Sequence, residues 1–362
     1  MGRHTSCTLS TDHLLHNVEV IRRAAPNTKI MAMVKANAYG HGLRSVGQRL
    51  DSKVDALGVS SIDEALALRQ AGVKAAIVLI EGVFMPEELH IASEQDFHVT
   101  FHNQTQLQWL QESSIPSPLI AWLKIDTGMG RLGFSPEAAP NALQILSGSI
   151  SIKLPVGIMS HFACADEPEH AHNKKQITAF EKFIHSHQGP KSLCNSAAIF
   201  SFSNQHYDWV RPGLALYGAS PIKTRTAHSL GLKPVMTLRT RLIAVKNLKK
   251  GESIGYGARY ECPEDMPIGI MAIGYGDGYP RTARDGTPVL VNGVLCHIVG
   301  RVSMDMAAVD LRPCPDADLE DHVTLWGEGL SVEEVSVMTD NINYDLLTGV
   351  QNRVKFNWFP SH

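Results

Sequence analysis

Between about residue 30 and residue 217 the chain alternates short apolar runs with polar or amphipathic stretches. Eight runs stand out: KIMAMV from Lys29, DALGV from Asp55, AAIVLI from Ala75, DFHVTF from Asp96, LIAWLKI from Leu119, LPVGIM from Leu154, KSLCN from Lys191 and VRPGLALY from Val210. Continuous apolar runs suit strands covered on both faces, as βαβ units require. KSLCN is the weakest of the eight. The stretches between carry helix signals. Ser61-Ile62-Asp63-Glu64 has the S-x-x-E form of a capping box ahead of ALALRQAG, where Gly72 supplies a stop. Asn173 to Ser186 places Ile177, Phe180 and Ile184 on one face. Eight strands with intervening helices predict an α/β fold, an N-terminal (β/α)8 TIM-type barrel, and a doubly wound open sheet fits the pattern almost as well.

After Tyr217 the texture changes. LRTRLIAVKNL, IGIMAIGY, TPVLVNGVLCHIVG, MAAVDL and DHVTLWG are short strand-like runs divided by Gly, Pro and Asp, which predicts a second, mostly β C-terminal domain. The expected division is a barrel over 1–222 and a β domain over 223–362. Charge is unevenly spread here: residues 220–251 hold eight Lys and Arg with no acid, whereas 310–345 hold ten Asp and Glu with one Arg. Solvated faces account for most such runs, and a self-complementary subunit interface is the sharper alternative.

Composition narrows the function class. The 362 residues suffice for about two domains, and 44% hydrophobic with 19% charged residues excludes disorder. A net charge of -3 gives no long-range attraction to nucleic acid or to an anionic membrane, so the expected partner is a small molecule. The opening MGRHTSCTLSTDHLLHNVEV lacks the basic-then-apolar order of a secretory signal, and no run approaches membrane-spanning length, so the expected location is cytoplasmic. Cys7, Cys164, Cys194, Cys262, Cys296 and Cys314 lie far apart with no C-x-x-C pair, which predicts buried thiols rather than a metal cluster or a disulfide framework.

Chemistry-bearing residues cluster just after the apolar runs. Lys35 and Tyr39 follow the first, Arg131 the fifth, His161 the sixth, Asn195 and Ser196 the seventh, and Arg211 lies early in the eighth. In a barrel these positions converge on the C-terminal mouth. Any one alone is a weak signal: a lysine after a strand is usually a solvated end, and Arg-Pro-Gly is usually a turn. Lys35 stands between an apolar strand and the turn NAYGHG, where partial desolvation favours the neutral, nucleophilic amine of Schiff-base chemistry. DTGMGRLG, from Asp126, lacks P-loop spacing, and GYGDGYP, from Gly274, lacks the dinucleotide fingerprint and reads as a tight turn presenting Tyr275.

Taken in order, MVKANAYGHG, LKIDTGMGRLGF, SHFACAD, CNSAA, VRPGLALYG, SIGYGARY, AIGYGDGYPR, GRVSMDM and NINYD resemble the alanine racemases in content, order and spacing, from about Leu15 to Val354. KANAYGHG is shared in looser form with other pyridoxal phosphate barrels, whereas the Tyr256 segment with GRVSMD is much more specific. The resemblance implies a pyridoxal 5'-phosphate-binding barrel and a β domain that contributes to the partner's active site in a head-to-tail homodimer. It implies that Lys35 forms the internal aldimine and serves as one catalytic base, with Tyr256 as the second, supplied from the other subunit. Tyr39, Ser196, Tyr344 and the backbone of Gly213 and Leu214 would bind the cofactor phosphate, with Asn195 in the same cofactor-binding set. Arg211 would face the pyridine nitrogen, and His161 would lie beside the ring and link to Arg211. Arg131 and the backbone of Met304 would meet the substrate carboxylate, while Asp166, Tyr275, Arg281 and Arg301 would line an entrance corridor that filters small zwitterions. Lys124 matches a lysine that some members carry as a carbamate positioning Arg131. Two departures touch the corridor and the C-terminal edge: Ser303 stands where many relatives have Cys, and QNRVKF replaces the more usual proline-containing ending. No metal is implied.

The implied reaction is the interconversion of L-alanine and D-alanine by two-base proton transfer, removal from one face of a planar centre and return on the other. A guanidinium at the pyridine nitrogen offers only donors and weakens the electron sink, which suits a racemase better than an aminotransferase. A tyrosine base, with an ordinary pKa of about 10, needs positive potential near neutrality, for which His161 with Arg211 is the expected source. The rivals are a broad-specificity amino-acid racemase, a basic-amino-acid decarboxylase on the same barrel, a non-catalytic cofactor carrier and a cofactor-free Schiff-base aldolase; the carrier has no use for a second-domain tyrosine. Supply of D-alanine as a peptidoglycan precursor and its catabolic consumption are the two physiological directions.

Overall fold

The computed structural model describes residues 4–359 and divides the chain into two compact units. The first comprises Leu15–Leu216 with Ser220–Gly231; the second takes residues 4–14 and 232–359 with Tyr217–Ala219. The opening strand, β1 (Ser6–Ser10), lies in the second unit. Eight parallel strands form the first: β2 (Lys29–Met33), β3 (Ala56–Val59), β4 (Ala76–Leu79), β5 (Phe97–Phe101), β6 (Leu119–Lys124), β7 (Ile152–Met159), β8 (Lys191–Asn195) and β9 (Trp209–Arg211). Each pairs with the next, and β9 returns to β2 through Trp209 against Lys29 and Val210 against Ile30, so the sheet closes into a barrel rather than staying open. The eight strands fall on the eight apolar runs. VRPGLALY is cut shortest, because Pro212 has no amide hydrogen to extend the ladder and the chain turns into the 3-10 segment Leu214–Tyr217.

The barrel is filled rather than hollow. Met31, Met33, Ala56, Val78, Ile80, Trp122, Met159 and Trp209 form one buried cluster, with Trp122 and Trp209 edge to face at 5.9 Å between centroids. Gly157 is needed beneath that layer, since a Cβ there would lie 2.4 Å from the Trp122 ring. Outside the barrel, Ser61 caps the helix Ile62–Gln70 by accepting the Glu64 amide, while the Glu64 carboxylate turns to the amide and hydroxyl of Ser60 at 3.0 Å and leaves the box half formed. The helix expected over 173–186 spans Ala171–Ile184 and buries Phe180 and Ile184.

The second unit contains β10 (Met236–Leu248), β11 (Ser253–Ile254), β12 (Tyr260–Glu261), β13 (Met266–Met271), β14 (Pro288–Val291), β15 (Val294–Val299), β16 (Ala307–Asp310), β17 (His322–Trp326) and β18 (Lys355–Phe359). Its main sheet runs β13-β16-β15-β14-β17-β10-β1-β18. β10 serves two neighbours: Leu238–Arg241 pair with β17, and Leu242–Leu248 pair with β13 across a register shift between Leu242 and Ala244. β1 points Cys7 and Leu9 inward and fills the gap between β10 and β18. The segregated charges meet within the chain, Arg239 reaching Glu328 at 3.4 Å and Arg241 reaching Glu320 at 3.2 Å. Among the described residues no helix is long and apolar enough to cross a membrane, no His/Cys/Asp/Glu group is arranged to hold a metal, and all six cysteines are free thiols.

Candidate active site

Lys35 follows β2 almost at once and opens the turn that carries Tyr39. Ala36, Asn37, Ala38 and Tyr39 all adopt φ between 52° and 55°, a left-handed turn that costs L residues about 1–2 kcal/mol each. Local hydrogen bonds over-determine it. The Ala38 amide donates to the Val34 carbonyl at 2.8 Å, Gly42 N to Asn37 O at 2.9 Å, and Leu43 N to Asn37 Oδ1 at 2.8 Å. Glu64 adds a support from the neighbouring helix by accepting the Asn37 amide at 3.3 Å. The turn leaves Lys35 at the end of its strand and brings Tyr39 against Gly213, where a Cβ would stand 2.3 Å from the Tyr39 hydroxyl.

Beside that contact, Ser196 Oγ accepts the amides of Gly213 at 2.7 Å and Ala215 at 3.3 Å. Asn195 caps the short helix Ser196–Ser201 by accepting Ala198 N at 3.1 Å. The ends of β8 and β9 thus assemble Tyr39, Asn195, Ser196, Gly213 and Leu214, a set of hydroxyls and backbone amides of the kind that receives an anion.

The rest of the mouth is cationic. Arg211 is buried and held by neutral acceptors: Ser192 Oγ at 2.6 Å, the Ser160 carbonyl, and the Leu193 carbonyl at 3.3 Å. Burial pulls it down to about 10, which leaves it charged at neutral pH. Nδ1 of His161 lies 3.4 Å from Arg211 Nη2. Burial first, then Arg211, Lys124, Arg131 and Lys35, hold that imidazole well below its usual range, so His161 is neutral. Lys124, the last residue of β6, is pushed down to about 8 by burial and by Arg211 and Arg131, with Glu81 opposing. DTGMGRLG folds around Asp126, whose Oδ1 accepts the amides of Gly128, Met129 and Gly130. Burial alone would raise that carboxyl, and these amides bring it below its usual value, so the loop's donors serve its own aspartate. Arg131 is exposed beyond them.

Glu81, which sequence reading missed, projects into this cluster two residues beyond β4. Its Oε1 lies 3.2 Å from Lys35 Nζ, with the two side chains 31% and 33% exposed. At the rim of the same unit Asp166 pairs with Lys223 at 3.2 Å.

The second unit holds the remaining candidates. Tyr256 sits in a 3-10 turn between the paired β11 and β12, flanked by Gly255 and Gly257 at φ 72° and 76°, and is 68% exposed. Tyr275 and Met304 are brought together by backbone pairing, Tyr275 N to Ser303 O at 3.0 Å and Gly276 N to Met304 O at 2.8 Å. Arg281 and Arg301 are exposed, and Tyr344 lies on the helix Asn343–Thr348.

Residues 9–221 match the model of the alanine racemase N-terminal domain, and residues 235–358 that of the alanine racemase C-terminal domain. The chain belongs to the alanine racemase family. It is 45% identical over 361 residues to alanine racemase of Coxiella burnetii (strain CbuG_Q212), covering 98% of this chain and 99% of that one. It is equally identical, over 346 residues, to the biosynthetic alanine racemase of Escherichia coli (strain K12), with 95% and 96% covered. The crystal structure of the biosynthetic alanine racemase from Pseudomonas aeruginosa superposes with a TM-score of 0.96 at 40% identity, covering 99% of this chain and 100% of that chain. Membership makes the protein an amino-acid racemase acting on alanine, an isomerase of a family that uses pyridoxal phosphate, and these relatives give the broad-specificity alternative no support.

The barrel mouth of this alanine racemase family member suits that cofactor. Lys35, Lys124, Arg131 and Arg211 act on one another there with Glu81 as the opposing carboxylate, an imbalance that a phosphate dianion and a phenolic oxygen would offset.

Proposed function

We propose that the protein racemises alanine with pyridoxal 5'-phosphate held on Lys35, and with Lys35 and the partner subunit's Tyr256 as the two bases. The observation that carries this reading is the placement of Lys35 at the same mouth as a buried Arg211 whose partners Ser192, Ser160 and Leu193 are all neutral. When bound, the cofactor supplies the electron sink that acidifies the Cα proton of alanine. Tyr39, Asn195, Ser196, Tyr344 and the amides of Gly213 and Leu214 would hold its phosphate. Arg211, fixed and charged, would donate to the pyridine nitrogen and keep it from gaining a proton. His161, being neutral, adds no competing charge beside the ring.

Arg131 and the backbone of Met304 hold the alanine carboxylate, which presents Cα with one face to each base. Lys35 Nζ takes or returns the proton on one face, and Tyr256 Oη does so on the other. Positive potential from Arg211, Lys124 and Arg131 favours the phenolate that a base requires. Tyr256 stands exposed on its hairpin in the single chain, which supports a role at a neighbouring subunit and hence a homodimer. In this division the barrel unit, Leu15–Leu216 with Ser220–Gly231, would bind cofactor and substrate and supply Asp166 to the corridor, and the β unit would provide Tyr256 and the corridor residues Tyr275, Arg281 and Arg301. Six free thiols fit a reducing, cytoplasmic setting.

Borohydride reduction of the purified protein followed by peptide mapping tests the assignment. The expected label is on Lys35, with D-alanine formed from L-alanine by chiral analysis. A label on another lysine overturns it.

A further inference from the structure

The carboxylate beside Lys35 is placed by structure on both sides. Gly82 turns the chain immediately after Glu81 at φ 73°, and no larger residue fits: a Cβ there would lie 2.2 Å from the Thr100 carbonyl and 2.5 Å from Gln106 Nε2. The Glu81 carbonyl is clamped from the β5 side, accepting from His102 Nε2 at 3.0 Å and Gln106 Nε2 at 3.4 Å, and Gln106 also reaches Val83 O at 3.0 Å. Asn103 Nδ2 lies 3.3 Å from His102 Nδ1, which leaves Nε2 as the nitrogen carrying the hydrogen toward Glu81. With its backbone pinned by His102 and Gln106, the Glu81 side chain is free to serve Lys35.

We propose that Glu81 is a positioning residue that acts through Lys35, holding its amine at the barrel mouth and supporting its charged form so that Lys35 can keep the proton it takes from the substrate. The inference rests on Lys35 being one of the two bases. The groups facing Lys35 make a counter-charge necessary. Lys35 acts electrostatically on Lys124 at the end of β6 and on His161 just after β7, and both of these groups also feel Arg131 and Arg211, so the mouth around it carries three further cations. An ammonium formed among them without Glu81 would lose the carboxylate that opposes these cations. Glu81 restores an attractive partner at 3.2 Å and, by direction, aims the Nζ atom.

The test reads Lys35 in cofactor-free protein. Reductive methylation with formaldehyde and a borane labels neutral amines, and peptide mapping across a pH series gives the midpoint for Lys35 alone. Removing the carboxylate leaves the three cations, so the midpoint falls in Glu81→Gln and Glu81→Ala. The expected shift is about one pH unit, hence labelling about tenfold faster at neutral pH, with Glu81→Asp close to the unaltered protein. In the loaded enzyme the limb of the kcat/KM profile belonging to Lys35 should move the same way. An unchanged Lys35 midpoint in either charge-removing variant overturns the proposal, and so does an equal shift in Glu81→Asp. Borohydride labelling separates the two readings: a label away from Lys35 defeats the function proposed above, whereas a label on Lys35 with an unmoved midpoint defeats only the role of Glu81.

Discussion

Arg353 grips Asp277 through Nε and Oδ1 at 2.7 Å, joining the C-terminal edge of the chain to the middle of GYGDGYP. Asp277 is 0% exposed in its side chain, and its second oxygen accepts the Gly274 amide at 3.0 Å. Nη2 of Arg353 continues to Asp305 at 2.7 Å and to the Met304 carbonyl at 3.5 Å. Gly276 makes the approach possible, since a Cβ there would stand 2.8 Å from that nitrogen. QNRVKF, although it lacks the proline expected of its relatives, therefore ties the Tyr275 turn to the Met304 loop.

Arg353→Ala should strand a buried carboxylate. With Arg353 itself partly exposed, the expected loss of stability is about 2 kcal/mol, measurable by urea denaturation. The same variant should raise KM for alanine by a larger factor than it lowers kcat, because the Met304 backbone loses its anchor while Lys35 and Tyr256 are untouched. Arg353→Lys, which keeps one contact, should fall between.

Legibility in the sequence followed the range of the forces involved. Strands of the barrel announce themselves because covering both faces demands unbroken apolar runs such as AAIVLI, and the mouth residues follow because they sit at the ends of those runs. β1 was not legible: five residues alternating inward and outward, whose partners β10 and β18 lie more than 200 positions away, leave no local signature. Glu81 was missed for a related reason. A single acid after a strand reads as a solvated end, and only closure of the barrel shows that it faces Lys35. Arg353 was visible only as part of a departure from a familiar ending. Its partner Asp277 lies in a motif read as a tight turn, and the link between them is a contact across 76 residues.

Gly213→Ala tests the anion cradle. The added methyl would meet Tyr39 Oη at 2.3 Å, so either the phenol or the Gly213 backbone must move. Pyridoxal phosphate affinity, followed by absorbance titration of cofactor-free protein, should fall at least tenfold, a loss of about 1.4 kcal/mol. Tyr39→Phe removes the hydroxyl without a clash and should have the smaller effect.

Acid should weaken the fold through His41. This fully buried residue in NAYGHG donates Nδ1–H to the Tyr39 carbonyl at 2.8 Å, and burial pushes its pKa down to about 4. The unfolded chain takes up that proton near pH 6.5, so the stability associated with neutral His41 is complete above that pH and is lost as pH falls toward 4. Between pH 7.5 and pH 5 the expected loss is about 2 kcal/mol from this residue. His98, half-buried and pushed down to about 4 chiefly by desolvation, adds to it. Urea denaturation at the two pH values should show the drop, and His41→Gln should reduce it.

The two-base scheme and its shared site make a combined prediction. Tyr256→Phe should leave cofactor absorbance intact and abolish racemisation, while Lys35 still exchanges the α-proton of one enantiomer with solvent deuterium. A scheme in which Lys35 serves both faces predicts instead that Tyr256→Phe is nearly silent. Lys35→Ala should lose the bound cofactor signal and all exchange. If the partner subunit's Tyr256 completes each site, subunits bearing Lys35→Ala and subunits bearing Tyr256→Phe are each inactive alone yet complementary when mixed. One site of every heterodimer then holds both intact bases, and the other holds neither. Random reassortment places half of the dimers in that class, so activity should recover to about a quarter of the unaltered level. Subunit exchange, verified by mass spectrometry of intact dimers, with no recovery of racemisation would rule out the shared site and leave both bases to a single chain.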